Sequence, residues 1–137
     1  EKAGTILHGT EAVLATTEST VPWTTVMIRK SFGVAAAAHY GPDGYVLAWP
    51  SAESGPLPLE GGVAVAFKKE IAQAANPEAK RKELEEKMAK NQNPFPRAEA
   101  FSVHEIIDPR ETRRYISLWA DRIQGQLKAS LVKDKLI

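Results

Sequence analysis

Residues 21–39 change character at one point, and that change limits what the chain can become. Val21, Trp23, Thr24, Thr25, Val26, Met27 and Ile28 make an apolar, β-favouring run, whereas positions 33–38 hold only glycine, valine and alanine. Residues 23–28 are predicted to form a strand buried on both faces, because their apolar and β-branched side chains are nearly continuous. Such strands belong to α/β layers, not to exposed hairpins. Small side chains where a strand opens into a helix have two uses. They let the elements pack closely, and they bring bare backbone N–H groups up to bound or developing negative charge. On composition alone, close packing is the favoured reading of residues 29–39 and an anion site the second.

The length of 137 residues fits one domain or part of one, with enough chain to bury a core. A hydrophobic content of 43% and a charged content of 26% are those of an ordinary soluble globular protein. Lys+Arg 18 against Asp+Glu 17 leaves a formal net charge of +1, so no global field recruits nucleic acid or a membrane surface. The absence of cysteine excludes disulfides, thiolate metal sites and cysteine nucleophiles, and it fits a reducing compartment. No apolar run approaches the ~20 residues that span a bilayer. The first residues carry no signal-peptide pattern, and a chain starting at Glu1 reads as a processed or excised piece.

Along the chain, residues 4–18 carry a moderate helical pattern, with His8 read as a surface residue. Pro22 breaks that pattern. Gly41, Pro42, Asp43 and Gly44 read as a turn, and residues 45–49 as a second short buried strand. The glycine- and proline-rich residues 54–62 read as a shaped loop without regular structure. A helix is predicted over 63–75, with Val63, Phe67, Ile71 and Ala75 in one core-facing stripe. Asn76, Pro77 and Glu78 have the composition of a helix start, and the helix they open, 77–90, has mixed charges and few apolar residues. It reads as a solvated outer helix. Residues 97–103 form a short helix or turn, and Ile106 and Ile107 a small buried strand. Asp108, Pro109, Arg110 and Glu111 start the last helix, with Glu111 placed to close a capping box. Over residues 112–130, Ile116, Trp119, Ile123 and Leu127 form an apolar stripe. Arg110, Arg113, Arg114 and Arg122 lie mostly off it and read as an outer helical face, with a phosphate site the second reading, and the tail from Lys133 is expected to fray.

Side-chain chemistry leaves few signals. His8, His39 and His104 sit in no metal spacing, no serine lies in a Gly-x-Ser-x-Gly elbow, and no phosphate loop follows a strand. Glu53 and Glu105 are candidate bases with no partner evident in the sequence. Backbone hydrogen bonding is the most economical chemistry left, and it has no side-chain signature.

A wider pattern carries more information. Glu1, Gly4, His8 and Gly9 come first, then Ser19, Thr20, Val21, Pro22, Thr25 and Val26, then Arg29, Lys30, Ser31, Phe32 and Gly33. Ala48, Trp49, Pro50, Ser51, Ala52 and Glu53 follow, then Phe67, Lys68, Lys69, Glu70 and Ile71. Asn93, Pro94 and Phe95 come next, and Ile107, Asp108, Pro109, Thr112 and Arg113 close the series. In this order the residues resemble the carboxyltransferase (β) subunit of biotin-dependent acyl-CoA carboxylases. That family includes propionyl-CoA and methylcrotonyl-CoA carboxylase β-subunits, transcarboxylase and glutaconyl-CoA decarboxylase.

The resemblance implies an α/β fold of the ClpP/crotonase type, with parallel buried strands flanked by helices. It makes residues 1–137 most of a C-terminal crotonase-like domain, without the N-terminal acyl-CoA domain and without the opening strands of its own. The implied activity is transfer of carboxyl between carboxybiotin, held on a partner carrier domain, and an acyl-CoA. The implied partners are biotin carboxyl carrier and biotin carboxylase components and further copies of the chain, a dimer of crotonase-like domains within a hexamer. No nucleic acid, membrane or metal is expected, and the location is cytoplasmic. Carried over residue by residue, the catalytic donors are the backbone N–H groups of Val34 and Ala35, with Gly33 giving close approach; Phe32, Ala36 and Ala37 line the biotin or acyl pocket. Two departures stand out: Val34 replaces a residue that is usually small, and residues 54–62 replace a compact apolar stretch. Three readings follow: a carboxyltransferase piece acting with a second domain, a decarboxylase of the same family, and a noncatalytic assembly module.

Overall fold

The apolar run of residues 21–28 becomes a strand, but the chain then bends sharply and starts another. Strand β1 (Thr24–Met27) is followed by β2 (Lys30–Phe32) and a one-turn helix α2 (Gly33–Ala37). The same order recurs at once as β3 (Tyr45–Ala48), β4 (Glu53–Gly55) and α3 (Leu59–Ala66). These are two successive ββα units. Their first strands pair in parallel, Thr24 opposite Tyr45 through Met27 opposite Ala48. Their second strands pair in parallel in a separate sheet, Lys30 opposite Glu53 and Phe32 opposite Gly55. A short strand β5 (Glu105–Ile106) completes the first sheet in the order β1-β3-β5. The computed structural model describes residues 4–41 and 44–134, without the side chains of Glu60 and residues 130–134.

The two bends lie side by side and hold each other. Trp49 N–H donates to the Met27 carbonyl (2.9 Å), and Glu53 N–H to the Arg29 carbonyl (2.8 Å). The Ser51 hydroxyl donates to the Ile28 carbonyl (2.8 Å). The core sits on the central strand: Leu47 and Ala48 are fully buried, with Met27, Val46, Ala52 and Val103 close behind. Strand β1 is half-buried except at Met27, not buried on both faces as predicted. It forms the edge of its sheet among the described residues, so one side lacks a covering strand.

The helices follow their local signals more closely than their stripes. Helix α1 (Thr5–Thr17) matches the predicted 4–18 but buries no residue, and Ile6 and Leu7 are more than 60% exposed. Residues 54–62 are not an irregular loop: they supply most of β4 and open α3, with extended Pro58 just before the first helical residue. The predicted helix 63–75 is broken at Phe67 (φ −114°, ψ 23°) into α3 and α4 (Lys68–Gln73). Its stripe leaves the core along its length, from buried Val63 to exposed Ala75.

Helix α5 (Pro77–Gln92) starts as predicted, with the Asn76 side chain accepting from Ala79 N–H, and buries Leu84 and Gln92. Helix α6 (Pro94–Glu99) begins immediately after it. Strand β5 lies one residue before the predicted Ile106 and Ile107, and Ile107 is buried beyond its end. A 3-10 turn (Pro109–Glu111) leads into α7 (Thr112–Asp134). The capping box is not formed: Asp108 accepts from Arg110 N–H, whereas Glu111 turns away to pair with Arg114 (2.9 Å). The α7 stripe stays partly open, Ile116 at 38% and Leu127 at 43% exposed. The helix continues through Lys133 to Asp134, and the rest of the predicted frayed tail lies outside the described residues. Among the described residues, no helix is long and apolar enough to cross a membrane.

Candidate functional site

The small-residue stretch folds where β2 meets α2. Phe32 is extended (φ −123°, ψ 148°), and Gly33 follows at φ 73° in the left-handed region. A side chain there costs roughly 1–2 kcal/mol, so glycine suits the turn. The reversal directs the chain into α2, whose first-turn N–H groups have no acceptor within the helix. Gly33, Val34 and Ala35 are therefore at the helix head, and all three are exposed, Val34 at 70%.

Beside this head is an open hollow of about 620 Å³ between β1, β2 and α2. Phe32, Ala35 and Ala36 line it, as do Arg29 and Lys30; Gly33, Val34 and Ala37 do not. The turn thus combines part of the predicted set in one wall and leaves the exposed Val34 outside it. The far wall was not legible in the sequence. Thr25, Met27, His39 and Tyr40 form it.

Local hydrogen bonds fix that wall. The Thr25 hydroxyl donates to the His39 carbonyl, and His39 Nδ1 lies 2.7 Å from the Ala35 carbonyl. The Tyr40 hydroxyl meets Ser31 Oγ at 3.0 Å and Met27 Sδ at 3.4 Å. The C-terminal end of the short helix is therefore tied to the strands beneath it. The only sequence sign of this was helical spacing from Ala35 to His39.

The other candidates have structural work. Glu105 accepts the Tyr45 hydroxyl, and its carboxylate raises the Tyr115 phenol on α7. Burial, then the Glu105 hydrogen bond, pushes the Tyr45 phenol up to about 12. Glu105 thus joins β5 to β3 and is not an unpartnered base. His104 Nδ1 accepts from Val46 N–H at 3.0 Å, which assigns its proton to the other nitrogen and ties it to the sheet. His8 pairs with Glu11 on the surface. Arg110 and Arg114 are engaged by Asp108 and Glu111 on the exposed start of α7.

Two ββα units with parallel pairing in two sheets, flanked by helices, define an α/β protein of the crotonase-like class. The sequence matches the carboxyl transferase domain family over residues 1–130, and the chain belongs to that family. It is 40% identical over 121 residues to the methylmalonyl-CoA carboxyltransferase 12S subunit of Propionibacterium freudenreichii subsp. shermanii, covering 85% of this chain and 23% of the relative. It is 36% identical over 131 residues to methylmalonyl-CoA decarboxylase subunit alpha of Propionigenium modestum, covering 92% and 25%. In structure it is similar to the transcarboxylase 12S subunit, solved with methylmalonyl-coenzyme A and methylmalonic acid bound. That match has a TM-score of 0.79 at 36% identity, over 90% of this chain and 25% of the other. The chain spans about a quarter of the length of the curated relatives it matches.

Proposed function

We propose that the chain supplies the biotin-facing side of a carboxyltransferase site, in a protein that moves carboxyl between carboxybiotin and an acyl-CoA. The observation that carries the proposal is the β2–α2 junction. There Gly33 reverses the chain so that the Val34 and Ala35 N–H groups head a helix beside an open hollow. Family membership supports it, and so do the methylmalonyl-CoA activities in the names of two relatives.

Carboxybiotin supplies the carboxyl group and leaves negative charge on its ureido oxygen as that group departs. The residues present fit this demand. Val34 and Ala35 offer donors that are preorganised, carry no net charge and need no proton transfer. Gly33 allows close approach, Phe32 and Ala36 border the pocket, and Ala37 extends the small-residue surface. Arg29 and Lys30, lining the same hollow, add positive potential. The same donors serve transfer in either direction, so carboxylase, transcarboxylase and decarboxylase share one site.

The acyl-CoA site belongs, in this reading, to an N-terminal crotonase-like domain outside these 137 residues. Biotin arrives on a carrier domain loaded by a biotin carboxylase, copies of the subunit assemble as an oligomer, and the setting is cytoplasmic. The isolated 137-residue chain is accordingly expected to show no carboxyl transfer. The decisive variant is Val34→Pro, assayed in the complete subunit. It deletes one donor at a first-turn position where proline fits a helix. Loss of carboxyl transfer with unchanged thermal unfolding supports the assignment. Retained activity with the fold intact would return the turn to a packing role.

A further inference from the structure

Gln92, near the end of α5, is only 5% exposed, yet nothing in the sequence marks it as functional. Its Nε2 donates to the Leu57 carbonyl at 2.9 Å, across 35 residues of chain. Its Oε1 is buried with no hydrogen-bond partner among the described residues. A methionine or leucine would fill the same space without an orphan oxygen, so packing does not explain a glutamine here. The donor to Leu57 does.

That bond holds a segment that touches the candidate site. Leu57 follows Pro56, whose carbonyl oxygen lies 3.7 Å from where a Cβ on Gly33 would stand. Gly55, one residue earlier, is paired in register with Phe32. A Cβ on Gly55 would meet Phe32 Cε1 at 3.7 Å and Gln92 Cγ at 3.8 Å. Gln92 and Phe32 therefore pack over the same glycine, while the Gln92 amide anchors the carbonyl beyond it. The route runs from α5, through residues 55–57, to the reversal that aims the Val34 and Ala35 N–H groups.

We infer that Gln92 is a positioning residue: by holding the Leu57 carbonyl it sets the 55–57 backbone against Gly33 and so fixes the head of α2. Its link to catalysis rests on the oxyanion reading of that head. The positioning itself does not.

The test uses amide hydrogen exchange on the full chain and carboxyl transfer in the complete subunit. The reporters are the Ala38 and His39 amides, which bond to the Val34 and Ala36 carbonyls, and the controls are Tyr45 and Trp49, bonded to Trp23 and Met27. Gln92→Met is expected to lower protection of the reporters about tenfold with the controls unchanged, and to lower kcat about tenfold at unchanged KM for acyl-CoA. Unchanged reporter protection in Gln92→Met overturns the inference, as does an equal loss at reporters and controls. Selective loss of protection with full turnover supports the positioning and rejects the oxyanion reading instead.

Discussion

The two ββα units share a topology and differ in what they do with it. In the second, β3 buries Leu47 and Ala48 completely and α3 brings Val63 onto the core. In the first, β1 is mostly half-buried, and α2 buries nothing and leaves Val34 70% exposed. The second unit spends its side chains on packing. The first keeps small side chains and an exposed helix head, which leaves backbone groups accessible. One repeat thus provides both a core and a candidate site, and the difference lies in what covers each helix: Val63 is fully buried and Val34 is not.

The largest effect on this contrast should come from the packed unit. Leu47→Ala is expected to destabilise the chain by about 2–5 kcal/mol, read as a drop in thermal midpoint. Val34→Pro should do the reverse in the open unit: a roughly 10²–10³-fold loss of carboxyl transfer in the complete subunit with little change in midpoint. If it unfolds the chain as Leu47→Ala does, the two units do not divide their roles. Gly33→Ala lies between them, costing about 1–2 kcal/mol for a side chain at positive φ and lowering transfer by misaligning the donors. A midpoint equal to that of wild type would show that the reversal is not strained.

The smallest effect lies outside both units, at the start of α7. The Arg110 side-chain hydrogen bond, then Arg110 N–H, holds the Asp108 carboxyl down at about 2. A depressed carboxylate stabilises the fold above its unfolded pKa and loses that contribution as pH falls through its folded pKa. Unfolding midpoints of wild type and Asp108→Asn should therefore differ most near neutrality and converge between about pH 4 and pH 2. A constant gap across that window would assign the effect to the cap's shape and not to its charge.

Much of the fold was legible where the signal is local. Asn76 capping α5 and Asp108 opening the last helix are decided within a few residues, as are the apolar runs of β1 and β3. Strands β2 and β4 were not legible. Lys30, Ser31 and Phe32 show no alternation, nor do Glu53, Ser54 and Gly55, and each triplet is a strand only because the other lies beside it. The break at Phe67 has no proline to announce it. In the site, the head of α2 could be read from its glycine and alanines. The wall formed by Thr25, His39 and Tyr40 depends on a hydroxyl reaching a carbonyl 14 residues away.

By itself, then, the sequence determined the α/β class, the positions of the caps and the small-residue turn, because backbone propensity and apolar period act over a few residues. The motif series determined the family, because many residues in one order are specific even where each is weak. Only the tertiary structure decided which apolar stripes are covered: Val63 and Ile116 sit in similar helical patterns, yet one is buried and the other 38% exposed. Only it paired β2 with β4 and brought Gln92 to the Leu57 carbonyl. Burial and long-range hydrogen bonds depend on what lies opposite in space, and sequence spacing does not carry that information.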